Sequence, residues 1–229
     1  MSSVIVLLSG GLDSTVLLSY YLDAGWDVTA MTFRYPSIHN QMERWATNRI
    51  VGWHWDNIGK FVPEHVEVKV SKTWFAGAKS DLLIQPGATE PIRMLIPQNN
   101  RAIVPGRNLL FIAMANVFAA SRDIQGVAIG TNANDAWNNL FPDCTPNFLN
   151  DLGSAMMAGY SIDLLHPFSE WKKWEIVQRG AILKAPMEYS WSCYEGGPRH
   201  CGICPACRER KAAFDVAGVK DETVYASDI

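Results

Sequence analysis

Short apolar runs alternate with longer stretches of mixed polarity, and turn residues separate them. Residues 4–8 are all apolar, the pattern of a strand buried on both faces. Residues 14–24 space their polar positions as a helix does, and Gly25 ends that helix. Residues 27–33 predict a second strand, and residues 39–60 a second helix closed by Pro63. Residues 65–70 alternate and read as strand three. Helices are predicted over 109–122, 146–158 and 171–183, with strands over 125–129 and 162–165. Strands alternating with helices imply an α/β fold with a doubly wound, mainly parallel sheet. In such sheets ligands bind outside the carboxyl ends of the strands. Residues 71–103 break the rhythm with Gly77, Pro86, Gly87, Pro91 and Pro97, which marks either a functional lid or an insertion without a role.

Composition narrows the function. At 48% apolar and 19% charged, 229 residues bury a core without staples. The net charge of −3 lacks the basic excess of a protein that grips nucleic acid, which favours a small-molecule substrate. The apolar stretch 109–120 is too short to span a bilayer, and the apolar run at 4–8 has no basic region before it. A soluble, cytoplasmic protein without membrane contact is the expectation. Four of the five cysteines crowd into residues 193–207, unlike a secreted disulfide frame.

The candidate chemistry begins where strand one ends. Ser9-Gly10-Gly11-Leu12-Asp13-Ser14-Thr15 joins a buried strand to a helix start. Free first-turn amides and the helix dipole make that junction an anion site, and the glycines let the backbone curl close to a phosphate. Ser9, Ser14 and Thr15 add hydroxyl donors. No lysine follows the glycines, which excludes the Walker loop, and the dinucleotide fingerprint is also absent. Asp13 suits Mg²⁺, or a helix-terminal charge or cap. Arg107, after Gly106 at a helix start, suits a bidentate pair with phosphate or carboxylate, or a surface salt bridge.

Cys193, Cys201, Cys204 and Cys207 give the spacing C-x7-C-x2-C-x2-C. Four soft thiolates suit a closed, structural tetrahedral zinc site. An iron–sulfur cluster is the rival, and disulfides fit a reducing compartment poorly. His200 is a spare ligand or a solvated side chain, and Cys144 stands apart from the cluster.

The loop Ser9-Gly10-Gly11-x-Asp13-Ser14 resembles the pyrophosphate loop of the N-type ATP pyrophosphatases. Val104-Pro105-Gly106-Arg107-Asn108, Gly130-x-Asn132-x-x-Asp135, Phe141-Pro142-Asp143-Cys144, His166-Pro167 with Lys173-x-Glu175, and the cysteine segment follow in the order of the 7-cyano-7-deazaguanine synthase family. The resemblance covers nearly the whole chain. It implies an adenine nucleotide alpha hydrolase-like domain over 1–185 and a zinc-binding segment over 186–229. It also implies a homodimeric ligase that turns 7-carboxy-7-deazaguanine, ammonia and ATP with Mg²⁺ into 7-cyano-7-deazaguanine, with no direct nucleic-acid partner. A divergent relative would stop at 7-amido-7-deazaguanine or join the activated acid to another amine.

The resemblance implies ATP contact along Leu8, Ser9, Gly10, Gly11, Leu12 and Asp13, continuing through Ser14, Thr15, Val16, Leu17 and Leu18. It assigns catalysis to Asp13, Arg107 and Lys173, and substrate binding to Arg107, Asn132, Asp135 and Asp143. Asp143 suits the N–H edge of a guanine-like ring or a helix cap, and Lys173 suits a polyphosphate or solvent. The segment Tyr35-Pro36-Ser37-Ile38-His39 departs from the family's Tyr-Gly-Gln-Arg/Lys-His, and the expected glutamate falls one place late, at Glu43.

Overall fold

The computed structural model describes residues 2–58, 64–83, 102–136 and 141–226. Most of the irregular stretch predicted over 71–103, the end of the predicted second helix and the loop at 137–140 lie outside them. Five strands form one parallel sheet in the order β3-β2-β1-β4-β5. They are β1 (Ser3–Leu7), β2 (Asp27–Arg34), β3 (Glu64–Lys69), β4 (Gly126–Ala128) and β5 (Asp163–Leu165). The helices are α1 (Leu12–Asp23), α2 (Asn40–Ile58), α3 (Arg107–Ser121), α4 (Ala133–Ala136), α5 (Pro146–Tyr160), α6 (Lys173–Ile182) and α7 (Pro205–Ala217). The predicted architecture is therefore the observed one, with element ends displaced by a residue or two.

The two-residue period of β1 explains the layering. Val4, Val6 and Leu8 face a core built with Val16, Leu17, Ile50, Ile176 and Phe214, from α1, α2, α6 and α7. Ile5 and Leu7 face the opposite core, built with Ile112, Ala115 and Leu149 from α3 and α5. A strand buried on both faces must be continuously apolar, as 4–8 is. Cys193, Cys204 and Cys207 pack in the same core as α1 and α6, so the cysteine segment is continuous with that helical layer.

The strand order reverses between β1 and β4, which opens a crevice at their carboxyl ends. Two glycines make it tight. A Cβ on Gly130, just after β4, would lie 3.1 Å from the Asp13 backbone. A Cβ on Gly10, whose φ is +85°, would lie 2.9 Å from the Glu43 carbonyl oxygen. The loops after β1 and β4 and the start of α2 thus converge on one point.

Candidate active site

The glycine loop is fixed by its own short side chains. Ser14 and Thr15 hydroxyls donate to the Gly11 carbonyl at 3.0 and 2.8 Å, and the Gly11 amide donates to Ser9 Oγ at 3.2 Å. The Trp191 amide donates to the Gly10 carbonyl at 2.7 Å and ties the loop to the segment before the cysteines. Gly11 caps α1 without a side-chain bond, so the first-turn amides of Leu12, Asp13 and Ser14 keep their donors for a ligand. Leu8, Ser9, Gly11, Asp13 and Ser14 line a cavity of about 240 Å³ at this end of the sheet. Leu12, Val16, Leu17 and Leu18 do not; at 0–2% exposure they are core, because those turns of α1 face the sheet. Thr15 is also fully buried, and its hydroxyl is spent on Gly11.

Arg107 reaches the cavity by a different route. Val104, Pro105, Gly106 and Arg107 form a turn closed by the Arg107 amide on the Val104 carbonyl at 3.2 Å, with Gly106 left-handed at φ +68°. Arg107 then opens α3 with its guanidinium in the cavity wall. One Nη donates to the Tyr35 hydroxyl at 3.2 Å, and Nε points to Asn108 Oδ1 at 3.4 Å. Among the described residues no carboxylate forms an ion pair with it. Burial pushes the Tyr35 phenol above its ordinary range, so it is a neutral partner. Burial likewise raises the Cys144 thiol, which lines the same wall and accepts from Asn108 Nδ2 at 3.2 Å. A thiol held protonated is not a nucleophile.

Lys173 stands behind the wall rather than in it. It opens α6, where the helix dipole disfavours a cation. Three carboxylates offset that cost. Lys173 Nζ lies 2.9 Å from Glu209 Oε2 and 3.6 Å from Asp13 Oδ2, and its side chain is 15% exposed. Burial alone would lower its pKa, but Asp13, Glu209 and Asp135 together hold it well above the ordinary lysine value. Asn132 is fully buried and donates from Nδ2 to Asp13 Oδ2 at 3.1 Å and to Asp135 Oδ2 at 2.9 Å. Burial raises the Asp13 and Asp135 carboxyls against the pull of Lys173, with Asp135 pushed up to about 7. Asp13 Oδ1 is buried without a hydrogen-bond partner among the described residues.

Several sequence assignments change here. Asp143 serves as a cap: its Oδ2 accepts from the Asn108 amide at 3.0 Å, in the first turn of α3. Asn132 is a strut between two carboxylates, with no exposed surface to offer a substrate. His200 is not solvated: at 5% exposure its Nε2 accepts from the Ser192 amide at 3.0 Å. Asp13 and Asp135 do line the cavity. Glu209 was missed, because it sits between the cysteines and the end of α7 with no local signal that it reaches Lys173.

The four cysteines close as their spacing predicts. The Sγ atoms of Cys193, Cys201, Cys204 and Cys207 all lie within 4.8 Å of one another, and Cys201 and Cys207 are 3.9 Å apart. A tetrahedron with metal–sulfur bonds of about 2.3 Å has edges of roughly 3.8 Å. Amides of Glu195 and Cys201 donate to Cys193 Sγ at 3.4 and 3.3 Å, which stabilises thiolate charge. Hydrogen bonds from Cys193 and Cys207 pull the Cys204 thiol well below its ordinary range. The cluster is suited to a metal ion.

Comparison with known proteins agrees with this geometry. A family profile described as "Queuosine biosynthesis protein QueC" matches residues 3–218. The 7-cyano-7-deazaguanine synthase of Prochlorococcus marinus (strain MIT 9303) is 34% identical over 228 residues, covering 96% of each chain. That of Desulfotalea psychrophila is 34% identical over 229 residues, covering 98% of this chain and 99% of its own. The NMN synthetase of Francisella tularensis superposes with a TM-score of 0.51 at 18% identity, over 98% of this chain and 79% of that one, and so shares the fold. With a family profile matched along nearly its whole length, the chain belongs to the QueC family of queuosine biosynthesis proteins.

Proposed function

We propose that this protein makes 7-cyano-7-deazaguanine from 7-carboxy-7-deazaguanine and ammonia at the expense of ATP. The observation that carries the reading is one cavity with an anion cradle at one end and, in the same wall, a half-buried guanidinium that forms no ion pair among the described residues. The reaction needs both features. A carboxylate oxygen attacks the α-phosphate and pyrophosphate leaves; the first turn of α1 receives that leaving group. Arg107 orients the carboxylate and offsets the charge that builds as it approaches the phosphate. Ammonia then displaces AMP to give the amide. A second adenylation of the amide oxygen, with loss of AMP, leaves the nitrile. Asp13, with its unpaired Oδ1, and Asp135 suit the Mg²⁺ that accompanies ATP.

Zinc is the metal that the four thiolates suit best. The donors are all soft sulfur, and a closed set leaves no open position, so the metal is structural. A homodimeric, cytoplasmic enzyme belongs to the same reading.

The test is incubation with 7-carboxy-7-deazaguanine, ammonia and Mg-ATP, with products read by mass spectrometry. Nitrile with AMP and pyrophosphate is the expected result. An accumulating amide would move the assignment to a relative that stops one step earlier.

A further inference from the structure

Among the described residues three carboxylates line the cavity: Asp13, Glu43 and Asp135. Asp13 and Asp135 are committed, since both accept from Asn132 and lie in the field of Lys173. Glu43 is different. It sits in the first turn of α2 with its side chain 16% exposed, and its partner is His39 Nε2 at 3.4 Å. His39 is 5% exposed and lines the cavity beside it, yet its Nδ1 has no hydrogen-bond partner among the described residues. The start of α2 packs closely on the glycine loop, since a Cβ on Gly10 would lie 2.9 Å from the Glu43 carbonyl oxygen. Apolar groups line the same cavity. Phe33 and Phe111 stack at 4.3 Å, and Leu7, Met31 and Ile129 complete that surface.

On the proposed reaction two heteroaromatic rings enter this cavity, and their polar edges differ. Deazaguanine presents two adjacent N–H donors, the ring N1–H and the exocyclic amine. Adenine presents an amine donor beside a ring-nitrogen acceptor. A carboxylate has two acceptor oxygens and no donor. It matches the deazaguanine edge at both points and opposes a lone pair on adenine at one. We infer that Glu43 is the specificity-determining residue for the acid substrate: its carboxylate, held by His39, receives the two N–H groups of the 7-deazaguanine edge. The role that the sequence suggested for Asp143 passes to a carboxylate that lines the cavity and has no cap to serve. This inference rests on the proposed function.

The experiment compares wild type and Glu43→Gln on 7-carboxy-7-deazaguanine and on its analogue lacking the exocyclic amine, following AMP. A site built to hydrogen-bond an N–H rejects the compound that lacks it. Wild type is expected to prefer the parent acid by about a hundredfold in kcat/KM, and Glu43→Gln to lose about as much on the parent while its preference collapses. KM for ATP stays unchanged in the variant. Equal preference in wild type and variant, or a raised KM for ATP with an unchanged KM for the acid, would overturn the assignment. So would a wild type indifferent to the missing amine, a measurement that needs no variant to fold. Glu43→Asp, which keeps both acceptors, is expected to keep the preference with weaker binding. A wild type with no turnover on the parent acid overturns the functional reading itself, and the assignment of Glu43 with it.

Discussion

Arg107 and Lys173 are both cations at the first position of a helix, both largely buried, and both near the same cavity, yet they are held in opposite ways. Lys173 has its counter-charges within the protein, with Glu209 at 2.9 Å and Asp13 at 3.6 Å. Arg107 is held by a phenol and a neutral amide, with no ion pair among the described residues. A buried charge without a partner is costly, and folds keep one where a ligand supplies the missing half. The difference separates two jobs. On the proposed function, Arg107 is a binding group whose anion arrives with the substrate. On the same reading Lys173 is a positioning group: it does not line the cavity but lies 3.6 Å from Asp13, which does.

The comparison breaks first at Arg107. Arg107→Met is expected to lower kcat/KM for the acid by about 10³, through loss of a charge-assisted contact that strengthens as the carboxylate attacks. Among the described residues no carboxylate is ion-paired with the guanidinium, and Glu43 and Asp135 feel its charge only from beyond ion-pair distance, so Tm is expected to change little. A large loss of Tm in Arg107→Met would show that the guanidinium does serve the fold. Comparing acid and ATP in the same kinetic series shows which anion it holds: the larger rise in KM identifies the partner.

Lys173 should show the reverse signature. Lys173→Met is expected to cost about 10² in kcat and to lower Tm as well, because Asp13, Asp135 and Glu209 then crowd together with no cation. Glu209→Gln is the milder cut. The amide still accepts from Lys173 Nζ, but the lysine is no longer held by a full charge. About tenfold in kcat with an unchanged KM for the acid is the expected result. If Glu209→Gln raised KM for the acid and left kcat alone, Glu209 would belong with Arg107 and the division would fail.

What the sequence made legible follows the range of the interactions. The glycine loop reads well because strand, turn and helix start are adjacent, and the bonds of its Ser and Thr hydroxyls to the loop span five residues or fewer. The cysteine cluster reads well for the same reason, since its ligands fall within residues 193–207. The electrostatics of the cavity do not. Asn132 and Asp13 are 119 positions apart, and Arg107 and Tyr35 are 72 apart. Only the folded sheet brings them together. Asp143 shows the limit in one residue. A carboxylate before a helix signals a cap or a ligand equally, and which helix it caps, α3 rather than the one that follows it, depends on packing. Glu209 reads as an ordinary helix-face glutamate until α6 is placed beside α7.

The smallest expected effect sharpens the comparison from the side of stability. Asp135 belongs to the Lys173 cluster, and its carboxyl is pushed up to about 7 by burial and the Asp13 charge, against Lys173. Its native pKa is therefore above the unfolded value, and the native state binds the extra proton. Between the unfolded pKa and about pH 7, stability falls as pH rises, and above that window the whole cost is present. Asp135→Asn removes the titrating group while its side-chain oxygen still accepts from Asn132 Nδ2. Without nucleotide or added divalent cation, the variant is expected to raise Tm by about 5 °C at pH 8, and by clearly less at pH 5, where the wild-type carboxyl is already protonated in the folded state. A gain in Asp135→Asn that did not depend on pH would mean that the carboxylate carries no electrostatic cost. The excess negative charge around Lys173 would then be balanced within the protein, rather than held ready for the cation that travels with ATP.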